Sequence, residues 1–454
     1  MLALTTAHAR VPRAAHVVLA IVVIGGSACS GERAAVAFNE AARYATEASD
    51  LDRYFAYCNA VLGRPYQQYY VRSSDAWRQS FDDHIAMTAD SGIVQPPHPL
   101  VPFRDFLVEY PPGFFLVALP PALLSSTTPG YAAAFGLFMI ALIAIAVRLS
   151  IAIGRYIGEP DRPYSARALA GATAAGAVAI GIVVTQRYDA AVSMLLCAMC
   201  WGVITRRPIA GGIAAGAAVA IKIVPVVVAI LCGLYLAAEG RRRDLRIAAW
   251  SAFVTIAIMC GPAVIAAPSG VLDMLRYHRD RPLEVGSTGA ALLGLWHSVD
   301  PSSVRMVRSF GSSNIVGRFD SIALTASLVA SIVVVIGIWK WAWRRFLACR
   351  TSNACARVLL AASAAIVAVV IATNKVGSPQ YLVWLLPLGV LASFIDGRAI
   401  AIGLLFAAFV LAQVAYPIVA PAVEALEPWA MAVVLARNLT LVAWAVTIGT
   451  RAGE

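Results

Sequence analysis

Charged residues are scarce in this 454-residue chain, at 13% of the total, whereas 60% of its residues are apolar. A water-soluble globular domain carries about 25% charged residues, so the scarcity of charge excludes that class. Eight cysteines are too few for a disulfide framework, and the apolar content excludes a disordered chain. At about 20 apolar residues per crossing, the sequence can supply ten or more transmembrane helices. The composition therefore predicts an all-α polytopic membrane protein.

Lysine is rarer still, because only three of the 36 basic residues are lysines: Lys222, Lys340 and Lys375. The formal charge of +11 would suit a nucleic-acid-binding protein. The arginines, however, cluster in short gaps between apolar stretches, as at residues 206–207 and 241–243. Short basic loops mark the cytoplasmic side of a membrane protein. We therefore interpret the charge as a topology signal, and we expect membrane lipids rather than nucleic acid as partners.

The apolar segments predict about twelve spans in a single domain over residues 1–454, with both termini in the cytoplasm. The predicted spans lie near residues 14–31, 130–152, 166–185, 188–204, 246–266, 320–343, 355–373, 378–396, 399–421 and 428–450, with two more in 208–238. Residues 208–238 are predicted to form a hairpin, because the basic loops on either side should both be cytoplasmic. Residues 110–127 carry four prolines, which favours a broken or re-entrant helix over a full span.

Two long hydrophilic segments, residues 38–109 and 268–318, are predicted to face the extracytoplasmic side. The first holds ten of the 25 acidic residues. Two of these, Asp50 and Asp52, follow the first membrane exit, where a carboxylate can reach both a polar acceptor and a lipid-borne donor. If this stretch is helical, Asp50 and Tyr54 share a face and Asp52 points away. The alternative interpretation is a solvated helix start with Asp50 as its cap.

Further polar groups stand where the chain is expected to meet the outer membrane surface. They are Glu109 and Tyr110 before a Pro-Pro pair, Asp189, Lys222 within Ile-Lys-Ile-Val-Pro, and Lys375, Ser378, Gln380 and Tyr381 within one eight-residue segment. A lysine beside lipid points to a function or a partner, although a snorkelling lysine is the alternative. Arg437 and Asn438 lie within the last span and are predicted to face the bundle interior. Histidines at metal-ligand spacing, a glycine-rich phosphate loop and a Gly-x-Ser-x-Gly elbow are all missing.

Five of these pieces occur in one order and together resemble the GT-C glycosyltransferases, specifically family 87. They are the outer aspartate, Glu-Tyr-Pro-Pro from residue 109, Ile-Lys-Ile-Val-Pro from 221, Tyr-His-Arg-Asp-Arg-Pro-Leu-Glu-Val-Gly-Ser from 277, and Lys-Val-Gly-Ser-Pro-Gln-Tyr from 375. The resemblance covers roughly residues 45–390. It implies a GT-C bundle in the bacterial plasma membrane that transfers a hexose, with mannose first, from a polyprenyl-phosphate sugar to a lipid or glycan acceptor outside the cytoplasm.

The resemblance also implies roles for particular residues. Asp50 lies 13 residues before Gly63 of a Gly-x-Pro-Tyr turn, which is the position of the family's first-loop acid, and Asp52 is the reserve. Asp50 would act as the general base of an inverting reaction. The donor phosphate would be bound by cations drawn from Lys375, His278, Lys222, Arg279 and Arg281, of which Lys375 and His278 are favoured. The substrate cavity would include Tyr54, Glu109, Tyr110, Asp189, Ser378, Gln380 and Tyr381.

No cofactor is expected, and a role for a divalent metal stays open, as does the oligomeric state. Two other functions fit part of the pattern. A flippase or other transporter of lipid-linked sugars would explain twelve spans and buried lysines, but it would not need an acidic 72-residue outer segment. An O-antigen-type polymerase or ligase also uses outer loops and lipid-linked sugars.

Overall fold

The computed structural model describes residues 50–71, 92–158 and 165–450. The predicted first span at 14–31 and the acidic stretch at 75–90 lie outside the described residues. The condition for Asp50 and Tyr54 to share a face is met, because residues Asp50–Val61 form a helix.

Helices dominate the described chain. In chain order they are α1 Asp50–Val61, α2 Phe115–Leu124, α3 Thr128–Ile157, α4 Ala166–Ile180, α5 Val183–Gln186, α6 Asp189–Ile204, α7 Pro208–Ile221, α8 Val226–Ala238, α9 Arg242–Ala266, α10 Pro268–Asp280, α11 Thr288–His297, α12 Asp320–Ala348, α13 Ser352–Thr373, α14 Leu386–Asp396, α15 Ala399–Gln413, α16 Ala420–Glu424 and α17 Pro428–Thr450. Single turns of 3-10 helix cover Gln68–Tyr70 and Pro112–Phe114, a longer one covers Pro379–Leu385, and a π-helical turn covers Val414–Ile418.

Two small antiparallel sheets qualify the expectation of an all-α fold. Strands β1 (Tyr66–Gln67) and β2 (Ile93–Val94) pair with Tyr66 opposite Val94. The second sheet has the order β3-β5-β4, formed by β3 (Leu283–Glu284), β4 (Val304–Ser309) and β5 (Ser312–Gly317). Its hairpin turns at Phe310 and Gly311, both of which have positive φ, as a two-residue turn requires. The hydrophilic segment 268–318 is thus a folded unit of two helices and a sheet.

Among the described residues, seven helical segments are long and apolar enough to cross a membrane: Thr128–Ile157, Arg242–Ala266, Asp320–Ala348, Ser352–Thr373, Pro379–Asp396, Ala399–Ile418 and Pro428–Thr450. Five shorter apolar helices accompany them: Pro112–Leu124, Ala166–Ile180, Asp189–Ile204, Pro208–Ile221 and Val226–Ala238. These findings support a polytopic helical membrane protein, whereas the count of about twelve crossings stays a prediction.

Helices α9 and α12 lie at the periphery of the bundle and expose apolar side chains. On α9, Trp250, Phe253 and Ile258 are all more than 60% exposed. An apolar surface of this length is unfavourable in water and is typical of a lipid-facing helix. Helix α13 has the opposite character, since nearly all of its side chains are buried, and it forms the centre of the bundle.

Close helix packing depends on glycine where α7 meets α9. A Cβ atom on Gly212 would overlap the carbonyl oxygen of Ala248, and one on Gly216 would overlap that of Ala252. Small residues four positions apart allow two backbones to approach in this way within a membrane. The contact fixes α7 and therefore the turn that follows it.

The predicted breaks in the helices are confirmed, but two of the predicted single spans are interrupted. The span expected over 399–421 is broken between α15 and α16 by the turn Val414–Ile418, in which Tyr416 has non-helical φ and ψ. Residues 208–238 form α7 and α8 with Lys222 in the turn between them, and residues 110–127 form a 3-10 turn and the short α2. The expected single span over 166–185, however, is interrupted. Helix α4 ends at Gly181, whose φ of +81° leaves the helical region, and the separate turn α5 follows. Glycine tolerates this conformation because it has no Cβ atom.

Candidate active site

Helix α1 places one of its faces against the membrane bundle. Tyr54 is fully buried and its ring contacts those of Tyr110, Phe114 and Tyr188 at centroid distances of 5.6, 5.1 and 5.9 Å. Asp50 lies one turn before Tyr54, so the two side chains share this face, as the sequence predicted. The aromatic contacts fix the rotation of α1 and thereby the direction in which Asp50 points.

Asp50 forms an ion pair with Arg187, which lies just before α6. The two side chains retain 19% and 13% of their exposure, so both are mostly withdrawn from water. Asp50 is the first residue of α1, where the helix dipole favours a negative charge. The carboxylate predicted to be the base is therefore paired with a cation at the edge of the bundle.

Glu109 forms hydrogen bonds that link helix α1 to helix α10. Its carboxylate accepts hydrogen bonds from Arg53 Nη1 and from Tyr57 Oη, each at 2.6 Å, and its carbonyl oxygen lies 2.7 Å from His278 Nε2. Burial raises the pKa of Glu109, but the Arg53 guanidinium and the Tyr57 hydrogen bond outweigh it, and the resulting pKa lies below the usual value. Glu109 is thus a charged anchor that orients α1.

His278 is hydrogen-bonded to the carbonyl oxygen of Glu109, and burial lowers the pKa of its imidazole. A histidine with a lowered pKa is mostly neutral at pH 7 and so offers little charge to a phosphate. The assignment of His278 to the donor phosphate stays a prediction, and its observed contact is with the backbone of Glu109.

Lys222 and Asp189 form a buried ion pair with Nζ and Oδ1 2.6 Å apart. The same oxygen accepts a hydrogen bond from Trp384 Nε1 at 2.6 Å. The ammonium also lies over the rings of Tyr188, Tyr381 and Trp384 at 4.8, 4.6 and 4.9 Å. Three aromatic faces and one carboxylate stabilise the cation without water. Lys222 therefore does not snorkel to solvent, and its role in phosphate binding stays a prediction.

Lys375 connects the loop that follows α13 to the loop that follows α10. Its Nζ donates to the carbonyl oxygens of Arg279 and Arg281 at 2.9 and 2.8 Å, and its own carbonyl oxygen accepts from Glu284 N at 3.0 Å. Burial, together with the nearby charge of Arg281, lowers the pKa of Lys375 to about 8. Behind Lys375, a Cβ atom on Gly377 would overlap the Gly286 carbonyl, so only glycine permits this approach.

The other residues of these motifs divide into two groups. Arg279 is 73% exposed and pairs with Asp280, so it points away from the cluster. Tyr381 stacks on Trp384 with ring centroids 4.7 Å apart, whereas Ser378 and Gln380 are half-buried on the same loop. Arg281 is directed inward and couples electrostatically with Glu284, Tyr277, Tyr381 and Tyr110.

Two further members of the cluster are Glu284 and Arg187. The sequence assigned no role to Glu284, and it left open whether Arg187, with Tyr188 and Asp189, lines the same cavity or forms a plain turn. Burial raises the pKa of Glu284, and the charges of Arg281, Arg437 and Arg187 oppose that rise. Glu284 Oε2 and Arg281 Nε are buried without a hydrogen-bond partner among the described residues. Glu284 lies within the motif at residues 277–287, so its position alone could have suggested a place in the site. Arg187 directly precedes Tyr188 and Asp189, which is the signal that drew attention to it.

Arg437 closes the cluster from the last helix, α17. It is 1% exposed and donates from Nη2 to the carbonyl oxygen of Gly286 at 2.5 Å and from Nε to Asn438 Oδ1 at 3.0 Å. The prediction that Arg437 and Asn438 face the bundle interior is confirmed.

Asp50 pairs with Arg187, and electrostatic coupling links Arg187 to Glu284, Glu284 to Arg281 and Arg281 to Lys375. Two like charges, Arg281 and Lys375, are held close enough for one to lower the pKa of the other. Such an arrangement favours an anion between them. Over residues 50–71, 92–158 and 165–450, no group of three or more His, Cys, Asp or Glu side chains could hold a metal ion.

Comparison with known proteins agrees with this arrangement. A search of curated proteins finds no match to the chain. The sequence model of glycosyltransferase family 87, in contrast, matches residues 106–373, which is more than half of the chain and includes both outer motifs around Glu109 and His278. The chain is therefore a membrane glycosyltransferase that belongs to family 87.

Proposed function

We propose that this glycosyltransferase moves a hexose, with mannose as the first candidate, from a polyprenyl-phosphate sugar to a lipid or glycan acceptor. The observation that carries the proposal is the series of charges that links the Asp50 carboxylate to the cations Arg281 and Lys375. A carboxylate base and a phosphate-binding pair of cations are the two features that such a transfer requires.

The reaction is a single displacement. Asp50 accepts the proton of an acceptor hydroxyl as its oxygen attacks the anomeric carbon. The new bond forms between that carbon and the acceptor oxygen, the bond to the donor phosphate oxygen breaks, and the configuration at the anomeric carbon inverts. Because the phosphate leaves as an anion, the transfer needs no partner acid, and Lys375 and Arg281 neutralise the developing charge.

Arg187 controls how basic the carboxylate of Asp50 is. In their ion pair, the guanidinium of Arg187 neutralises that carboxylate. A donor phosphate that enters between the cations competes for Arg187, which leaves the carboxylate of Asp50 more basic at the moment when the donor is bound. The proximity of Arg187 to Glu284 supports this path between the base and the phosphate site.

We place the active site on the extracytoplasmic face of a bacterial plasma membrane. The turns and loops of the cluster lie at the end of the bundle opposite the basic stretch Arg241–Arg243, because α8 and α9 connect through that stretch while Lys222 and α10 stand at their other ends. Short basic loops stay in the cytoplasm. The membership of a glycosyltransferase family favours group transfer over the transporter alternative.

The test is a transfer assay with membranes that contain the protein, radiolabelled polyprenyl-phosphate mannose and extracted lipids as acceptors. The wild type should produce a labelled lipid or glycan, and Asp50→Asn should lower the rate by about 10²–10⁴, the usual loss for a general base. Asp300→Asn, at a half-buried turn position in the second hydrophilic segment, is the matched control and should keep full activity. Full activity of Asp50→Asn would reject Asp50 as the base, and no transfer by the wild type from any polyprenyl-phosphate hexose would reject the donor class.

A further inference from the structure

Helix α1 has a second face that the proposed reaction does not use. Asp52, Phe55, Ala56 and Asn59 follow the spacing i, i+3, i+4 and i+7, so their side chains lie on one side of the helix. Together they form one wall of a cleft of about 470 Å³ whose lining does not include Asp50. The volume is in the range of small-ligand sites.

The lining of this cleft is rich in groups that form hydrogen bonds. The polar members come from α1, the turn after it and the start of α3: Asp52, Asn59, Arg64, Ser126, Thr127 and Thr128. Phe55 and Tyr66 add aromatic surface. Hydroxyls, an amide and a carboxylate beside aromatic rings match the alternating hydroxyl groups and apolar ring faces of a sugar.

Asn59 gives a second reason, independent of the shape of the cleft, to expect a ligand there. Its side chain is 5% exposed, and its Oδ1 has no hydrogen-bond partner among the described residues. A buried acceptor without a donor is unfavourable. A hydroxyl group in the cleft would supply the missing donor.

The charge of the cleft favours a neutral ligand. Asp52 and Arg64 balance each other, and Arg64 is already tied through Nη1 to the carbonyl oxygen of Ala122 at 2.8 Å. Burial raises the pKa of Asp52. Its carboxyl group is therefore suited to hydrogen bonds with neutral groups such as hydroxyls. A phosphate here would meet a carboxylate without a surplus of cations.

The cleft opens close to the membrane surface. Leu123 and Leu124, at the end of α2, are 62% and 81% exposed and directly precede the Ser125–Thr128 stretch that borders the cleft. Exposed leucines at the end of an apolar helix are expected to contact lipid. A ligand in the cleft can therefore be attached to a lipid chain that remains in the membrane.

We propose that this cleft binds one neutral hexose in the headgroup of a membrane lipid on the face of α1 opposite Asp50. It thereby holds the acceptor by a sugar other than the one whose hydroxyl reacts at Asp50. The acceptor role rests on the proposed transfer activity, whereas the binding itself does not. A hexose of a soluble glycan presents the same chemistry, so the test compares the two sources.

The experiment measures both binding and kinetics on the full chain in lipid nanodiscs. The binding probes are octyl and methyl α-glycosides of mannose, glucose and galactose, used below their micelle concentrations. The variants are Asp52→Asn and Thr128→Val, a mild change that removes one hydroxyl, with Asp300→Asn as the control and Asp50→Asn as the variant without a base.

At least one octyl hexoside should bind the wild type and Asp50→Asn equally well. Asp52→Asn and Thr128→Val should each weaken that binding by about tenfold, the effect of one lost hydrogen bond, and Asp300→Asn should not. In the transfer assay the same two variants should raise the acceptor KM and leave the donor KM unchanged.

Three results would overturn the assignment or its lipid-borne source, and a fourth would separate the assignment from the proposed function. No binding of any hexoside to the wild type, or unchanged binding in both cleft variants, would reject the cleft as a hexose site. Equal affinity for the octyl and methyl glycosides would reject a lipid-borne source. Binding that depends on Asp52 in a protein that transfers no sugar would support the cleft and reject the proposed function, so the two failures are distinguishable.

Discussion

Lys375 offers the sharpest test of the donor site, because its pKa of about 8 lies in a range where activity can be measured. If the protonated amine binds the donor phosphate, kcat/KM for the donor should follow the protonated fraction of the free enzyme. With a pKa near 8, that fraction falls from about nine tenths at pH 7 to about one tenth at pH 9. The expected loss is therefore about tenfold, with falling activity as the pH rises. The phosphodiester of the donor does not titrate in this range.

Substitutions separate this charge effect from the structural role of Lys375. Lys375→Gln removes one charged hydrogen bond, so kcat/KM for the donor should fall by about 10- to 100-fold at pH 7. Lys375→Arg keeps the charge at all working pH values and should recover part of the activity, with no loss between pH 7 and 9. Lys340→Gln, at an exposed lysine on α12, is the matched control.

The assay is the initial rate against donor and acceptor concentrations separately, at pH values from 7 to 9. A purely structural Lys375, which only ties the Arg279 and Arg281 carbonyls, would change kcat and both KM values together. The reasoning is refuted if Lys375→Gln keeps the wild-type kcat/KM for the donor. It is also refuted if Lys375→Arg loses activity above pH 8 as steeply as the wild type.

Three further predictions address topology and packing. In a variant without other reactive cysteines, Asp300→Cys should react with an impermeant maleimide in intact cells and Arg242→Cys should not; the opposite pattern would reverse the proposed orientation. Gly212→Val should lower the melting temperature by several degrees because its Cβ would overlap α9, while Gly171→Val, which meets open space, should not. Asp189→Asn should destabilise the protein by about 3–5 kcal/mol, since it leaves a buried lysine without its counter-charge, and unfolding in denaturant would measure the loss.

The lengths of the apolar runs and the positions of the basic loops were sufficient to predict the approximate bounds of most long helices in the described residues. The hairpin around Lys222 followed from the two flanking arginine clusters, because apolar residues between two cytoplasmic loops must enter the membrane and return. The prolines near residue 112 predicted the broken helix for a local steric reason. The interruption at Gly181 was not predicted, because a glycine within an apolar stretch is compatible with either a continuous or a broken helix.

The partners of the charged residues could not be predicted in the same way. Asp50 and Arg187 are 137 positions apart, and their contact depends on how α1 rotates against the aromatic rings around Tyr54. Spacing within α1 predicted that Asp50 and Asp52 face different ways, which the structure confirms, but it contained nothing about what each face would meet. Local patterns specify faces, whereas packing between distant segments specifies pairs.

This distinction explains why the lysines were easier to notice than to interpret. Lys222 and Lys375 stand out in a chain that otherwise uses arginine, yet their surroundings are opposite. The ammonium of Lys222 lies against Asp189 and three aromatic rings, so its charge is already balanced. The ammonium of Lys375 donates to two carbonyl oxygens, and the charge of Arg281 acts on it more strongly than the opposite charge of Asp280. Since an anionic donor relieves the second situation and not the first, Lys375 is the lysine whose environment calls for a phosphate.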